Sequence, residues 1–392
     1  MKLFYFKNLG VFLFLLLTQT VLGQENPAIS NPSQTPIQKT CGFDGIHKER
    51  LQTDPVYLQK TTEFNNFMQT YTPSLAKVGN TQYKIPVVVH VMETGNGLTD
   101  VSDAQIRASI KRLNEDYRNA FPDLSDASDT VDLDIEFSLA VRDPSGNCTN
   151  GIVRYDMTGN ATYMANGVFR NSAGISDAAL KSLSVWNQSQ YYNIWLVSEI
   201  DNNNGGAGIQ GYAFFATSHG NSNDGTVILA SNFTNPNSTT AAHELGHAFN
   251  LYHTFEGDDS GCPTNGDCST DGDLVCDTPP HERSSSNCVV GVNGCNGGNT
   301  EDFIHNYMDY SSDACQHEFT NGQKQRVIAA MSTLRTSFLE SNGNVSLIPP
   351  TVAGVDFLGS SSGGCIGTTI QFTDRSSCTP NTFLDSTFWT NH

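Results

Sequence analysis

The sequence predicts an α+β fold in which helices pack on a β-sheet. The first observation is an apolar, largely β-branched run at residues 85–91, which is typical of a buried strand. The second is Ser102 followed three residues later by Gln105, a capping-box pattern that opens a helix. The third is a histidine-rich segment at helical spacing, residues 243–253. The helix after Ser102 would bury one apolar face, formed by Ile106, Ile110, Leu113 and Tyr117.

Two processing segments are expected before this fold. Lys2 and Lys7 stand at the start of an apolar run, so residues 1–23 read as a secretory signal peptide. The run is too short to span about 30 Å of hydrocarbon, and no other stretch approaches its length. We therefore expect a secreted protein whose mature form has no membrane span. Residues 24–82 are polar, with no strand expected before Ile85, which suits a pro-segment.

The main domain is expected over residues 83–345. Further strands are expected at residues 135–141, 193–199 and 226–230. A closing helix is expected after Gly322, with an apolar face formed by Val327, Ile328, Met331, Leu334 and Phe338. Residues 349–392 then change to short β-type runs that resemble the start of a PKD-like β-sandwich. A complete sandwich needs about seven strands, so this unit is expected to be partial.

The segment HELGHAFNLYH contains three imidazoles and one carboxylate. On a helix, His243 and His247 lie one turn apart on the same face, so both ring nitrogens reach one metal ion. Glu244 lies beside them, where it can act as a base on water that the metal activates. The helix must then end so that His253 becomes the third ligand, which leaves a fourth position for water or substrate. The spacing predicts a hydrolytic zinc site.

This segment and the methionine of NYMDY resemble the metzincin signature, HExxHxxGxxH followed by a Met turn. The fuller set HELGHAFNLYHTFEG, GDLVCDTPP and HNYMDYSSDAC resembles the pappalysin family, especially its ulilysin-like and cytophagalysin-like members. The resemblance implies a mixed twisted sheet, an active-site helix and an irregular C-terminal subdomain with the Met turn. Asn250 replaces the family's usual glycine. Asparagine is the best non-glycine occupant of the left-handed region, so the turn is expected to survive.

The resemblance implies a secreted zinc endopeptidase that acts on proteins or peptides. Zinc would activate a water molecule and polarise the scissile carbonyl, while Glu244 takes the proton and later returns it to the leaving amine. Tyr310 resembles the metzincin tyrosine that stabilises the oxyanion; the alternative is an aromatic residue packed in the turn. Met308 is expected to form a hydrophobic floor beneath the imidazoles.

Substrate recognition is expected to combine a strand edge and a pocket. An extended substrate is expected to pair with the edge near residues 226–230. Ulilysin-type members favour a basic residue after the cleaved bond. Asp313, near the Met turn, is the candidate for that pocket.

A second hypothesis is a catalytically silent, zinc-containing extracellular adhesion or binding module. The C-terminal β-sandwich fragment and the Asn-x-Ser/Thr sequons, such as those at Asn160 and Asn237, suggest it. Such sequons arise readily in a chain rich in asparagine and serine. The intact base Glu244 beside intact ligands favours the peptidase, because a silent module has no use for that base.

The chain has 10 cysteines, which in a secreted protein indicate disulfides. Six of them lie between the third histidine and the end of the Met turn; a structural zinc cluster is the competing interpretation, but no CxxC pair occurs. Connectivity does not follow from sequence alone. The pairing that the resemblance implies is Cys262–Cys295 and Cys288–Cys315, which leaves Cys268–Cys276 as a local addition and Cys365–Cys378 in the C-terminal unit.

Two cysteines remain, Cys41 and Cys148. Cys41 lies upstream of the main domain, and its thiolate is a possible ligand for the open zinc position, which would keep a pro-form latent. A disulfide between Cys41 and Cys148 is the equally weighted alternative.

The formal net charge of −19 argues against a nucleic-acid partner, because no basic patch is available to neutralise phosphates. Four acidic residues crowd one cysteine-rich loop: Asp267, Asp271, Asp273 and Asp277. On composition alone a solvated acidic surface is the preferred interpretation. The resemblance implies a structural calcium ion near GDLVCDTPP, with Asp273, Asp277 and Thr278 as its ligands.

Overall fold

The computed structural model describes residues 39–71, 83–118, 131–264, 266–285, 287–289, 294–295, 301–339, 344–349, 357–359 and 372–374. The expected signal peptide and the expected Cys365–Cys378 bond lie outside these residues. Within the described part of the chain, no helix is long and apolar enough to cross a membrane.

Strands and helices are interspersed along the described part of the chain. The strands are β1 (Lys39–Cys41), β2 (Tyr83–Glu93), β3 (Ile135–Leu139), β4 (Ile152–Asp156), β5 (Tyr192–Val197), β6 (Gly208–Ala213), β7 (Thr226–Leu229), β8 (Phe357–Gly359) and β9 (Phe372–Asp374). The helices are α1 (Phe43–Thr53), α2 (Pro55–Met68), α3 (Asp103–Arg118), α4 (Ala161–Asn166), α5 (Asp177–Ser182), α6 (Ala230–Phe233), α7 (Thr240–Ala248), α8 (Glu301–Ile304) and α9 (Asn321–Thr333).

Seven of the described strands form one mixed sheet, as the sequence predicts for the main domain. Six follow the order β1-β6-β7-β5-β2-β3, and the seventh, β4, pairs with β2. The long strand β2 pairs with β3 along its first half and with β4 along its second half. The pair β6–β7 is antiparallel, whereas the other pairs of this sheet are parallel. Two short strands beyond the main domain, β8 and β9, pair antiparallel with each other.

Two features of this sheet were not predicted. Residues 39–41 form a strand, so the expectation of no strand before Ile85 is wrong; β1 is extended because β6 offers it backbone partners. The expected substrate edge at residues 226–230 is also wrong, because β7 lies between β5 and β6. The strand that borders the active-site side is β6, whose two glycines conceal its strand character in the sequence.

The core lies on both faces of the sheet. One face packs against α3, α7 and α9, and buries the predicted apolar side of α3. The capping box that opens α3 is present, since the Ser102 N–H donates to Gln105 Oε1 (2.9 Å) and the Gln105 N–H donates to Ser102 Oγ (3.2 Å). The other face is covered by α4 and α5. This packing fixes α7, the histidine-bearing helix, against the middle of the sheet.

Helix α7 ends in a left-handed turn at Asn250, which has a φ of 68°. The Leu251 N–H donates to the Gly246 carbonyl (3.0 Å) and closes the turn. The Asn250 side chain is fully buried, and its Oδ1 accepts a hydrogen bond from the Ala216 N–H (2.7 Å). Asparagine therefore provides the backbone conformation of the family's glycine together with a link to the segment after β6.

This double role predicts different costs for two substitutions. Asn250→Gly and Asn250→Ala both leave the buried Ala216 N–H without its acceptor, which lowers the free energy of unfolding by about 1–3 kcal/mol. Asn250→Ala is expected to cost about 1–2 kcal/mol more, because alanine disfavours the left-handed region. Urea unfolding of the two variants measures the difference. An Asn250→Ala protein as stable as Asn250→Gly would contradict the role given to the turn.

Candidate active site

Three imidazoles converge on one point at the end of α7. The His253 Nε2 atom lies 3.2 Å from His243 Nε2 and 3.1 Å from His247 Nε2. Nitrogen ligands of a tetrahedral zinc ion with bonds of 2.0–2.1 Å stand about 3.3 Å apart. The three described nitrogens therefore fit such an ion without rearrangement.

The opposite ring nitrogens of the two helix histidines face backbone carbonyls. His243 Nδ1 donates to the Tyr307 carbonyl (2.7 Å), and His247 Nδ1 donates to the Leu251 carbonyl (2.7 Å). These bonds place the proton of each ring on Nδ1, so that Nε2 carries the lone pair that binds a metal. Burial, followed by repulsion from the neighbouring imidazoles, lowers the pKa of His247 well below its usual value, so this ring is neutral as ligation requires.

The third histidine is oriented by a residue far away in sequence. His253 Nδ1 lies 2.8 Å from Asp44 Oδ1, and Asp44 belongs to α1. The attraction of His253 and hydrogen bonding from it outweigh burial and lower the pKa of Asp44 to about 2, so this carboxyl is ionised. This role of Asp44 was not predicted from the sequence. Its position three residues after Cys41 is the feature of the sequence that could have indicated it.

The predicted base, Glu244, is buried beside the three imidazoles. Burial raises the pKa of its carboxyl to about 8. A β-carbon placed on Gly211 of β6 would lie 2.9 Å from Glu244 Cγ and 3.0 Å from Oε1. Gly211 is thus a site residue that sequence reasoning missed, because only the folded sheet brings it to Glu244.

The Met turn lies beneath the imidazoles. Met308 is fully buried, and a β-carbon on Gly246 of α7 would lie too close to its sulfur and within 3.2 Å of its Cε. Gly246 therefore allows Met308 to pack directly under the helix. The turn is held by Asn306, whose Oδ1 accepts from the Met308 N–H (2.9 Å) and whose side-chain amide pairs with Gln323.

Tyr310 reaches the same site from the Met turn. Its ring centroid lies 5.0 Å from that of His253 and 5.8 Å from that of His243. Its hydroxyl oxygen accepts a hydrogen bond from the Cys41 N–H (2.9 Å). The side chain is thus both packed and placed at the metal position.

Cys41 occupies the open side of the three imidazoles. Its sulfur and the three histidine nitrogens all lie within 4.8 Å of one another. Cys41 is free, whereas Cys148 is disulfide-bonded, so the alternative Cys41–Cys148 bond is wrong. Burial and then repulsion from Glu244 raise the pKa of the Cys41 thiol, which donates to Glu244 Oε2 (3.2 Å).

The N-terminal segment, residues 39–71, holds Cys41 in this position. Strand β1 runs parallel to β6, with Cys41 opposite Gly211, and the Gly42 N–H donates to the Gly211 carbonyl (2.9 Å). The next side chain, Phe43, stacks on the His247 ring with centroids 4.0 Å apart. Residues of this segment therefore lie across the strand edge and the metal position together.

A small cavity of about 30 Å³ opens beside Glu244 and His243. Thr40 lines one side of it and Asp313 another. The Asp313 carboxylate accepts a hydrogen bond from Thr239 Oγ1 (2.6 Å) at the start of α7. Asp313 therefore lines the same cavity as Glu244 and His243.

The candidate calcium residues lie in one loop but contact different partners. Thr278 Oγ1 lies 2.9 and 2.8 Å from the two carboxylate oxygens of buried Asp273. Asp277 is exposed and accepts hydrogen bonds from Thr320 Oγ1 and the Gly322 N–H, both 2.7 Å, at the start of α9. The cysteine-rich region is cross-linked by three described disulfides: Cys262–Cys295, Cys268–Cys276 and Cys288–Cys315.

Comparison with known proteins agrees with this site. The family model described as "Pregnancy-associated plasma protein-A" (Peptidase_M43) matches residues 175–332. An extracellular metalloprotease of Pyricularia oryzae is 30% identical over 262 residues, which cover 64% of this chain and 76% of that protein. An extracellular metalloprotease of Arthroderma benhamiae is 28% identical over 284 residues, which cover 70% and 87%.

The structure also resembles solved structures of metalloproteases. Promirolysin of Tannerella forsythia, studied as a glutamate-to-alanine mutant, has a TM-score of 0.60 and 30% identity, and covers 79% of this chain and 100% of that one. Mature mirolysin of Tannerella forsythia with a cleaved peptide has a TM-score of 0.54 and 30% identity, and covers 71% and 100%. The chain therefore belongs to the pappalysin (M43) family of metallopeptidases and is an extracellular metalloendopeptidase.

Proposed function

We propose that the protein is a zinc-dependent endopeptidase that uses Glu244 as its general base and is secreted as a latent precursor. The observation that carries this proposal is the convergence of the Nε2 atoms of His243, His247 and His253, with a buried carboxylate beside them. Zinc, when bound, supplies the Lewis acidity that activates water and polarises the scissile carbonyl.

The chain's own residues perform the proton transfers. Glu244 accepts a proton from the attacking water as its oxygen bonds to the carbonyl carbon. Glu244 then delivers that proton to the amide nitrogen, the C–N bond breaks, and an acid and an amine leave.

Tyr310 is the proposed oxyanion donor. Its hydroxyl accepts a hydrogen bond from the N–H of Cys41, the residue whose sulfur faces the three imidazoles. When that partner is absent, the hydroxyl is available to donate to the oxygen of the tetrahedral intermediate. Met308 beneath the imidazoles is a packing residue rather than a reacting group.

Residues 24–82 are the proposed pro-segment, and residues 83–345 the catalytic domain. Cys41 is the proposed latency ligand, since a metal cation favours the thiolate form of a sulfur that faces it. The similarity to promirolysin extends over 79% of this chain, against 71% for mature mirolysin, which supports an N-terminal segment that is removed. Residues 349–392 are proposed to begin a PKD-like unit, with β8 and β9 as its first paired strands.

The proposed substrate edge is β6, because β1 already uses its backbone groups in the latent form. The cavity beside Asp313 is the proposed pocket for a basic residue after the cleaved bond, since its carboxylate provides the complementary charge. The catalytically silent module is less favoured, because it gives no reason for a base buried beside three convergent imidazoles.

Calcium is proposed for the loop at residues 273–278. Burial raises the pKa of the Asp273 carboxyl to about 8, although hydrogen bonds from Thr278 and Val275 and the charge of Arg326 oppose the shift. Burying a carboxylate is costly unless nearby cations balance its charge. Calcium with oxygen ligands from Asp273, Thr278 and neighbouring groups would supply that charge.

The first prediction separates metal binding from proton transfer. Mature Glu244→Ala protein is expected to retain one zinc per chain by elemental analysis. Its peptidase activity should fall by at least about 10²–10⁴-fold, because the general base is lost. His253→Ala is the matched comparison and should lose the zinc itself. Turnover of the Glu244→Ala protein near the wild-type rate would contradict the assigned base.

The second prediction concerns latency. The unprocessed precursor with Cys41→Ala is expected to cleave a peptide substrate faster than the wild-type precursor but more slowly than the mature enzyme, because the thiol no longer faces the metal position while β1 still covers β6. Thr40→Ala, in the same strand, is the control and should stay latent. If the Cys41→Ala precursor is as inactive as wild type, the thiol does not maintain latency.

The third prediction concerns calcium. The melting temperature of the mature enzyme is expected to rise with calcium, by an amount that corresponds to about 2.7 kcal/mol at a hundredfold excess over Kd. Asp273→Asn should abolish the response, whereas Asp271→Asn in the same loop should keep it. A calcium-selective chelator that leaves zinc in place and does not shift the melting temperature would refute the site.

A further inference from the structure

The N-terminal segment fills an aromatic pocket next to the metal position with one side chain, Phe43. Its ring stacks on His247 at 4.0 Å between centroids and with planes 10° apart, and it lies 4.6 Å from the Phe215 ring. The Tyr252 ring meets it edge-on at 6.5 Å. Phe43 is only 1% exposed, and His47 of its own segment covers part of the ring, with the two ring centroids 5.2 Å apart.

Phe215, Tyr252 and Leu274 of this pocket belong to the catalytic domain, whereas His47, whose ring also contacts those of Phe215 and Tyr252, belongs to the N-terminal segment. Phe215 follows β6, and Tyr252 immediately precedes the ligand His253. Leu274 packs against the same cluster and has a φ of 62°, a backbone conformation that leucine rarely adopts. Conformational strain of this kind persists only where the surrounding structure enforces it. The pocket is therefore built by segments that remain when the N-terminal segment leaves.

Removal of the N-terminal segment would expose this surface beside the reactive groups. Phe215 is fully buried and Tyr252 nearly so while Phe43 is in place. Filling a water-exposed aromatic cleft with an apolar side chain is favourable, because apolar surface is removed from water. The substrate is the molecule that reaches this position when the enzyme works.

The position of the pocket relative to the cleaved bond follows from the order of three residues. Thr40 lines the Asp313 cavity, Cys41 faces the metal position, and Phe43 enters the aromatic pocket. The two pockets therefore lie on opposite sides of the metal position. This step rests on the proposed function, in which the Asp313 cavity takes the residue after the cleaved bond.

We propose that the pocket formed by Phe215, Tyr252 and Leu274 is a substrate subsite for an aromatic or large apolar side chain. That side chain comes from one of the three residues that precede the scissile bond. Phe43 occupies the subsite in the latent form, so the N-terminal segment blocks substrate recognition as well as the metal.

The test uses mature enzyme and matched peptides. All peptides carry the same basic residue after the scissile bond, and phenylalanine replaces alanine at each of the three preceding positions in turn. Phenylalanine at one position is expected to raise kcat/KM by about tenfold or more, as burial of a whole side chain predicts. The same pair of peptides should differ similarly in Kd for mature, catalytically inactive Glu244→Ala protein by calorimetry.

Variants locate the effect in the pocket. In Leu274→Ala and in Phe215→Leu the phenylalanine-to-alanine ratio of kcat/KM at that position should fall towards one. Val345→Ala, an exposed apolar residue, should keep the wild-type ratio. If either pocket variant fails to fold, the Kd comparison with the Glu244→Ala protein still tests the subsite.

Equal kcat/KM and Kd for phenylalanine and alanine at all three positions would overturn the subsite. A preference that both folded pocket variants retain would overturn it as well. Failure to cleave any peptide would instead refute the proposed function, and the binding comparison would still test the pocket.

Discussion

The convergence of three imidazole nitrogens on one point constrains the rest of the structure. Helix α7 supplies two of them and must then end abruptly, with a left-handed residue at Asn250. The carbonyls at this helix end need donors, because no further helical turn follows. Two buried arginines supply them: Arg326 Nε donates to the Asn250 carbonyl (2.6 Å), and Arg335 Nε donates to the Ala248 carbonyl (2.9 Å). Arg335 is neutralised by bidentate contacts with buried Asp224.

Four consecutive residues of the N-terminal segment contact this site. Cys41 faces the imidazoles and Glu244, Gly42 pairs with β6, Phe43 stacks on His247, and Asp44 meets the outer nitrogen of His253. These contacts use the metal position, the strand edge and an apolar pocket, which are the surfaces that an extended substrate needs. Under the proposed function, latency and substrate recognition therefore use the same surface.

Local sequence patterns predicted the features that depend on short-range geometry. The spacing of His243, His247 and His253 predicts their convergence, because helical periodicity and one turn suffice to bring them together. The capping box at Ser102 and the apolar face of α3 follow the same logic. In contrast, Gly211 owes its role to the packing of β6 against α7, and Asp44 owes its role to the contact of α1 with His253. The hydrophobic periodicity of the sequence carries no information about such contacts. The glycines of β6 also weaken the sequence pattern that would predict a strand there.

X-ray absorption at the zinc edge of the unprocessed, zinc-loaded protein tests the central claim most directly. The geometry predicts one sulfur at about 2.3 Å and three nitrogens at about 2.0–2.1 Å around the metal. The sulfur shell should disappear in the Cys41→Ala precursor while the nitrogen shell remains. A wild-type spectrum with only nitrogen and oxygen ligands would contradict the claim that the histidines and Cys41 share one metal ion.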